Sequence, residues 1–171
     1  MNSAPPIAGS CVLGFADRRD RHGRYPVTDQ SGAVVATIVK QWARSAFEAN
    51  DAAGRPLCSG SLRFLGGWSA EDADRREIVS IGRGFFRVHR VVLPYRALDG
   101  QLRGAFLGRD WRVEDRSGQL LVTAVPHEAG WLFAPDAWLV RTVLTLAETV
   151  AITELHRLDL KRRRHSAAAA G

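Results

Sequence analysis

The chain has 171 residues, 46% hydrophobic and 25% charged, a composition that suits one soluble globular domain and excludes a fibrous or disordered chain. Its formal charge of +6 makes nucleic acid, an anionic membrane or an acidic protein conceivable partners. The excess lies at the ends: residues 25–160 hold sixteen basic against sixteen acidic side chains, the first 24 residues carry +2, and Lys161 to Arg164 add +4.

Residues 1–10 lack the charged and apolar regions of an export signal and read as a flexible N-terminus, so a cytoplasmic protein is expected. No apolar run reaches the roughly 18 residues of a membrane span. Cys11 and Cys58 have no Cys or His at ligand spacing and cannot form a four-thiolate zinc site; free thiols are the first reading and one disulfide the alternative. No metal or cofactor is expected.

A repeat follows. Tyr25-Pro-Val27-Thr-Asp29-Gln-Ser-Gly32, Phe47-Glu-Ala49-Asn-Asp51-Ala-Ala-Gly54 and Trp111-Arg-Val113-Glu-Asp115-Arg-Ser-Gly118 share the order aromatic, any, small apolar, any, Asp, two residues, Gly. Each predicts a β-hairpin. The Asp accepts from the backbone ahead of it, two residues turn, and Gly takes the left-handed conformation. Asp29, Asp51 and Asp115 are therefore read as turn residues and not as catalytic acids.

Further strand-like segments, at intervals of about 8–12 residues, are 11–16, 77–82, 84–94, 102–108, 130–133 and 138–144. With the three hairpins they total about twelve strands. Residues 66–76 are polar and aperiodic and read as a surface loop, which makes Trp68 the tryptophan expected to be most exposed.

Thr145-Leu-Ala-Glu148 has the form of a capping box and opens a helix expected over 146–160. Its apolar residues cover about half the helical circumference, more than the ~100° stripe of a surface helix, so strands should enclose it on more than one side. Glu154 interrupts that arc and is expected to be hydrogen-bonded or near a barrel opening. Lys161 to Arg164 would follow where cations favour a helix C-terminus, before a disordered tail at 165–171.

Short antiparallel strands joined by these hairpins, at Asp29/Gly32, Asp51/Gly54 and Asp115/Gly118, and closed by an apolar C-terminal helix with a basic run resemble the tubby C-terminal-like superfamily. Its LURP-one-related and phospholipid-scramblase-like branches are the nearest. The resemblance runs from about Tyr25 to Arg164. It implies a mainly β fold over 11–164: a closed antiparallel barrel of about twelve strands around the C-terminal helix. It also implies binding of anionic phospholipid through surface basic residues. The cysteine cluster and acidic Ca²⁺ loop of scramblases are absent, so scrambling activity is not carried over.

No catalytic constellation emerges: the histidines are scattered, and Ser59-Gly60-Ser61 lacks the spacing of a nucleophile elbow. The chain is read as a non-enzymatic protein. The anion- or lipid-binding candidates are Arg83, Arg87, His89 and Arg90 on one strand, and Lys161, Arg162, Arg163 and Arg164 after the helix. If Phe86 and Val88 face a core, Arg83, Arg87 and His89 form an outward cationic row. The alternative is a solvated outer face balanced by acidic neighbours. An anionic membrane surface, reached peripherally, or a protein is the expected partner. Nucleic-acid binding through the arginine-rich strand is an alternative, disfavoured because Phe86 stands where an RNA-binding strand needs a small residue. A small hydrophobic ligand, or an enzyme's substrate, in an open barrel mouth is a further reading, and an open cavity around the helix would mark it.

Overall fold

Alternation of inward apolar and outward polar side chains runs through strand after strand and closes a barrel. The computed structural model describes residues 10–16, 20–63, 66–82, 88–104, 110–126 and 137–168. Among them are twelve strands: β1 (Cys11–Phe15), β2 (Tyr25–Thr28), β3 (Val34–Gln41), β4 (Ala46–Asp51), β5 (Pro56–Leu62), β6 (Trp68–Asp72), β7 (Glu77–Ile81), β8 (Val88–Leu93), β9 (Leu98–Gly104), β10 (Trp111–Asp115), β11 (Leu120–Pro126) and β12 (Trp138–Thr142). Each strand pairs antiparallel with its neighbours in sequence, and β1 pairs with β12 from Cys11↔Thr142 to Phe15↔Trp138, so no edge is left open.

The three predicted hairpins form as read. In each, the Gly N–H donates to the Asp carbonyl: Gly32 to Asp29 at 3.1 Å, Gly54 to Asp51 at 3.0 Å and Gly118 to Asp115 at 3.1 Å. The Asp Oδ1 accepts two further backbone N–H groups, those of Ala53 and Arg55 at 2.9 Å in the case of Asp51. Two more turns have the same bonding. At Asp20 the pattern lacks its leading aromatic, and at Asp72 Arg75 replaces Gly and adopts φ +62°.

The second of these corrects the sequence reading. Residues 66–76 are not a loop: Trp68-Ser-Ala70-Glu-Asp72-Ala-Asp-Arg75 is a fourth copy of the repeat, folded as β6 and its turn. Trp68 is accordingly buried, at 3% exposure, where a surface loop would leave it in solvent. The strand expected at 130–133 lies outside the described residues, as does the 83–87 part of the one expected at 84–94.

The helix α1 (Leu146–Ala168) runs eight residues beyond its predicted end, so Lys161 to Arg164 belong to it, and residues 165–168 are helical rather than a disordered tail. No Gly or Pro interrupts residues 146–168, and Ser166 bonds back to the Arg162 carbonyl at 3.1 Å. Its capping box forms: Thr145 N–H donates to Glu148 Oε2 at 2.9 Å, and Glu148 N–H to Thr145 Oγ1 at 3.3 Å. Arg96, in the 3-10 turn between β8 and β9, grips the same carboxylate at 2.9 and 3.0 Å. Burial tends to raise the Glu148 pKa, but Arg96 and Thr145 together hold it below the usual value.

From Glu148 to Leu158 every residue is buried, which places the helix inside the barrel and explains its wide apolar arc. At Gly60 on β5 an added Cβ would stand 2.5 Å from the Phe47 ring and 3.0 Å from Leu155, so the wall approaches the helix where a side chain is missing. Polar helix residues find partners: Thr153 donates to the Thr149 carbonyl at 2.8 Å, and Glu154 meets Arg157 at 2.6 Å and Lys40 at 3.5 Å. Cys58 is buried beside the helix, its thiol pushed up to about 12 by burial with the Glu154 charge adding; Cys11 is exposed, and the two do not pair. No helix among the described residues is long and apolar enough to cross a membrane.

Candidate functional site at the helix exit

In an antiparallel meander all even-numbered strands end on one side. The helix follows β12, so it enters there and leaves at the opposite end, where β7 gives way to β8. His89 from the first basic candidate group and Arg162 and Arg163 from the second meet at that exit. They share a cleft of about 460 Å³ with Gly67, Gly82, Trp68 and Asp159. The cleft rests on two glycines. Gly67 has φ +85° and a Cβ there would lie 2.7 Å from the Ile81 carbonyl, whereas the space beside Gly82 is free to 3.9 Å.

Asp159 organises the cationic side. Its Oδ1 accepts from Trp68 Nε1 at 3.3 Å, and its Oδ2 lies 2.8 Å from Arg163 Nε. Arg163 Nη2 reaches His89 Nε2 at 2.6 Å, and His89 Nδ1 lies 3.2 Å from the Gly82 carbonyl. Behind them, His156 packs at a tilt against Trp111 and Trp138, with ring centroids 5.3 and 6.1 Å away. Burial, followed by the nearby His89, Arg163 and Arg157, pushes its pKa down to about 3, so it stays uncharged.

The outward cationic row expected on β8 is not what forms. His89 is buried at 6% exposure and faces inward with Val91 and Leu93, while Val88 and Arg90 lie on the outer face. Two fully buried residues, Val91 and Leu93, set the alternation, and it runs one residue out of step with the expected facing. Arg90 is half of a surface pair, holding Asp99 by three bonds of 2.9, 3.1 and 2.6 Å, and Arg116 shares that carboxylate. Arg103 and Arg112 both meet Glu114, at 3.6 and 2.9 Å. On this outer face acidic neighbours balance the arginines. Arg83 and Arg87 lie outside the described residues.

Lys161 is half-buried, and Arg162, Arg163 and Arg164 are exposed on the emerging helix. Successive helical residues are about 100° apart, so four in a row put positive charge all round the stem. Trp68 and Asp159 were missed as site residues. The repeat signals Trp68, and the four-residue spacing of Asp159 and Arg163 signals the ion pair.

The barrel has a solved counterpart in a plant protein. An X-ray structure of a protein from Arabidopsis thaliana matches over 90% of this chain and 91% of that one, with a TM-score of 0.60 at 13% identity. At that identity the likeness shows the fold alone. No protein-family model and no curated protein matches the sequence.

Proposed function

We propose that this chain is a non-enzymatic binding module that docks its helix exit on an anionic phospholipid surface. The observation that carries the reading is the placement of Lys161 to Arg164: a neutral barrel body presents four consecutive cations on a helix end that projects beside an open cleft. Near an anionic leaflet each such residue contributes roughly 1 kcal/mol, screened within a Debye length. The resemblance to the tubby-like superfamily points the same way. The charge-balanced outer face around Arg90 and Asp99 offers less to an anion, and the packing of Glu148 to Leu158 counts against a ligand carried around the helix.

Co-sedimentation with vesicles, with and without anionic lipid and at two salt concentrations, tests the reading. Binding should require anionic lipid, weaken with salt, and fall about 25-fold in the double variant Arg162→Gln/Arg164→Gln, at roughly 1 kcal/mol per charge. Equal binding to neutral vesicles would remove the proposal.

A further inference from the structure

One level of the strand register crosses the barrel wall from β8 to β1 as Val88, Arg103, Arg112, Thr123, Arg141 and Val12, each residue the cross-strand partner of the next. Val113, Val122 and Val140 are fully buried on the inner face, so their chain neighbours Arg112, Thr123 and Arg141 point outward. Three arginines thus stand at one level, with a single hydroxyl among them. Side chains of direct cross-strand partners lie about 4.5–5.5 Å apart at Cβ, where like charges repel unless an acid offsets them. Glu114 does this for two of the three, lying 3.6 Å from Arg103 Nε and 2.9 Å from Arg112 Nε.

That balance ends at β12. The neighbours of Arg141 on β11 and β1 are Thr123, Val125, Val12 and Gly14, none of them acidic. Arg141 is half-buried, and among the described residues no side chain forms an ion pair or a hydrogen bond with it. Thr123 is 5% exposed although it faces outward, a short side chain set between two long ones, and its Oγ1 is buried without a hydrogen-bond partner. Buried hydroxyls are as a rule bonded, and a guanidinium has five N–H donors to place. Two adjacent side chains therefore hold donors and lack an acceptor.

We infer that Arg141, Thr123 and Arg112 form an oxyanion site on the flank of the barrel, which takes the phosphate group of a phosphate monoester. The Arg141 fork holds two phosphate oxygens, and the Thr123 hydroxyl donates to a third. Arg112, whose Nε stays on Glu114, adds positive charge from the other side. A carboxylate has two oxygens and is filled by one fork, so it would leave the hydroxyl unmet. The site is separate from the helix exit: Arg141 lies three residues along β12 from Trp138 at the exit rim, about 10 Å of strand. It uses none of Lys161 to Arg164 and stands independently of the membrane reading.

Titration of the full chain with inorganic phosphate and with glycerol phosphate, followed by NMR, tests the site. The Thr123 and Arg141 amides and the Arg141 Nε–H should move saturably, and acetate at matched ionic strength should leave them in place. Arg141→Gln should weaken phosphate binding about tenfold and Thr123→Val about fivefold, as expected for one charge-assisted and one neutral hydrogen bond. Thr123→Val keeps the β-branched shape and so spares the strand. Arg141→Lys, which keeps the charge and loses the fork, should bind between Arg141→Gln and the parent. The exit variant Arg162→Gln/Arg164→Gln should bind phosphate as the parent does. No saturable movement at this row, equal movement with acetate, or parent-like phosphate binding in both Arg141→Gln and Thr123→Val would overturn the site. Once phosphate binds there, vesicles with a phosphomonoester headgroup identify its source: weaker vesicle binding in Arg141→Gln assigns a lipid, and unaltered binding a soluble ester. Phosphate binding at the row without binding to any anionic vesicle upholds the site and overturns the membrane reading.

Discussion

Glu154 and Lys40 meet inside the barrel at 3.5 Å, with 1% of each side chain exposed. Arg157 closes on the other carboxylate oxygen at 2.6 Å and lies over the Trp138 ring, while Lys40 stacks 3.6 Å from the centre of Tyr25. One carboxylate therefore serves two buried cations, drawn from β3 and from the central helix. Removing it leaves both cations in a medium that solvates them poorly. Glu154→Gln should lower the unfolding free energy in urea by about 3–5 kcal/mol, the cost of removing one partner of a buried ion pair. Lys40→Met should cost less, because Glu154 keeps Arg157. A Glu154→Gln protein as stable as the parent would contradict this account.

Arg75 occupies, at φ +62°, the turn position that Gly32, Gly54 and Gly118 fill at φ +80° to +85°. An L side chain is strained there by roughly 1–2 kcal/mol, and Gly is not. Its turn is otherwise bonded like the others, with Arg75 N–H to the Asp72 carbonyl at 3.1 Å. Arg75→Gly should therefore raise the thermal midpoint by a few degrees, the gain reduced by the greater freedom of Gly in the unfolded chain. Gly54→Ala should lower it, although no atom stands within 4 Å of the added Cβ, because the penalty is backbone strain and not a clash.

His156 is buried in its neutral form, with its pKa depressed from 6.5 to about 3. Between these values the unfolded chain binds the proton and the folded chain does not, so stability falls as pH drops through this window and levels off below it. In His156→Leu the drop between pH 6.5 and 3 should be shallower than in the parent, as read by urea midpoints across the range. The turn carboxylates, also held below their ordinary values by the Ser31 and Ser117 hydroxyls at Asp29 and Asp115 and by backbone N–H donors, at Asp51 chiefly that of Arg55, provide the residual slope in both proteins. Parallel pH curves would show that His156 does not titrate on unfolding.

Local chemistry was legible. The Asp-x-x-Gly turns are read from four residues because their bonds close within five, and the capping box of Thr145 and Glu148 is just as local. The same rule hid β6, since Arg75 broke the pattern at the position that Gly marks elsewhere. The expected total of about twelve strands agrees with the twelve among the described residues, although the sequence reads β6 as a loop and its expected strand at 130–133 lies outside those residues. On β8 the sequence reading faces His89 outward, and only packing with Val91 and Leu93 turns it inward.

By itself the sequence determined the turns, the helix and the breadth of its apolar arc, because these depend on neighbours within a few residues. It also located the charge excess at the chain ends. The tertiary structure decided where that charge acts: closing β1 on β12 and threading the helix through the barrel bring His89 to Arg163, 74 residues away. Barrel closure and strand register are collective properties of all the strands, so no local window of residues encodes the meeting at the helix exit.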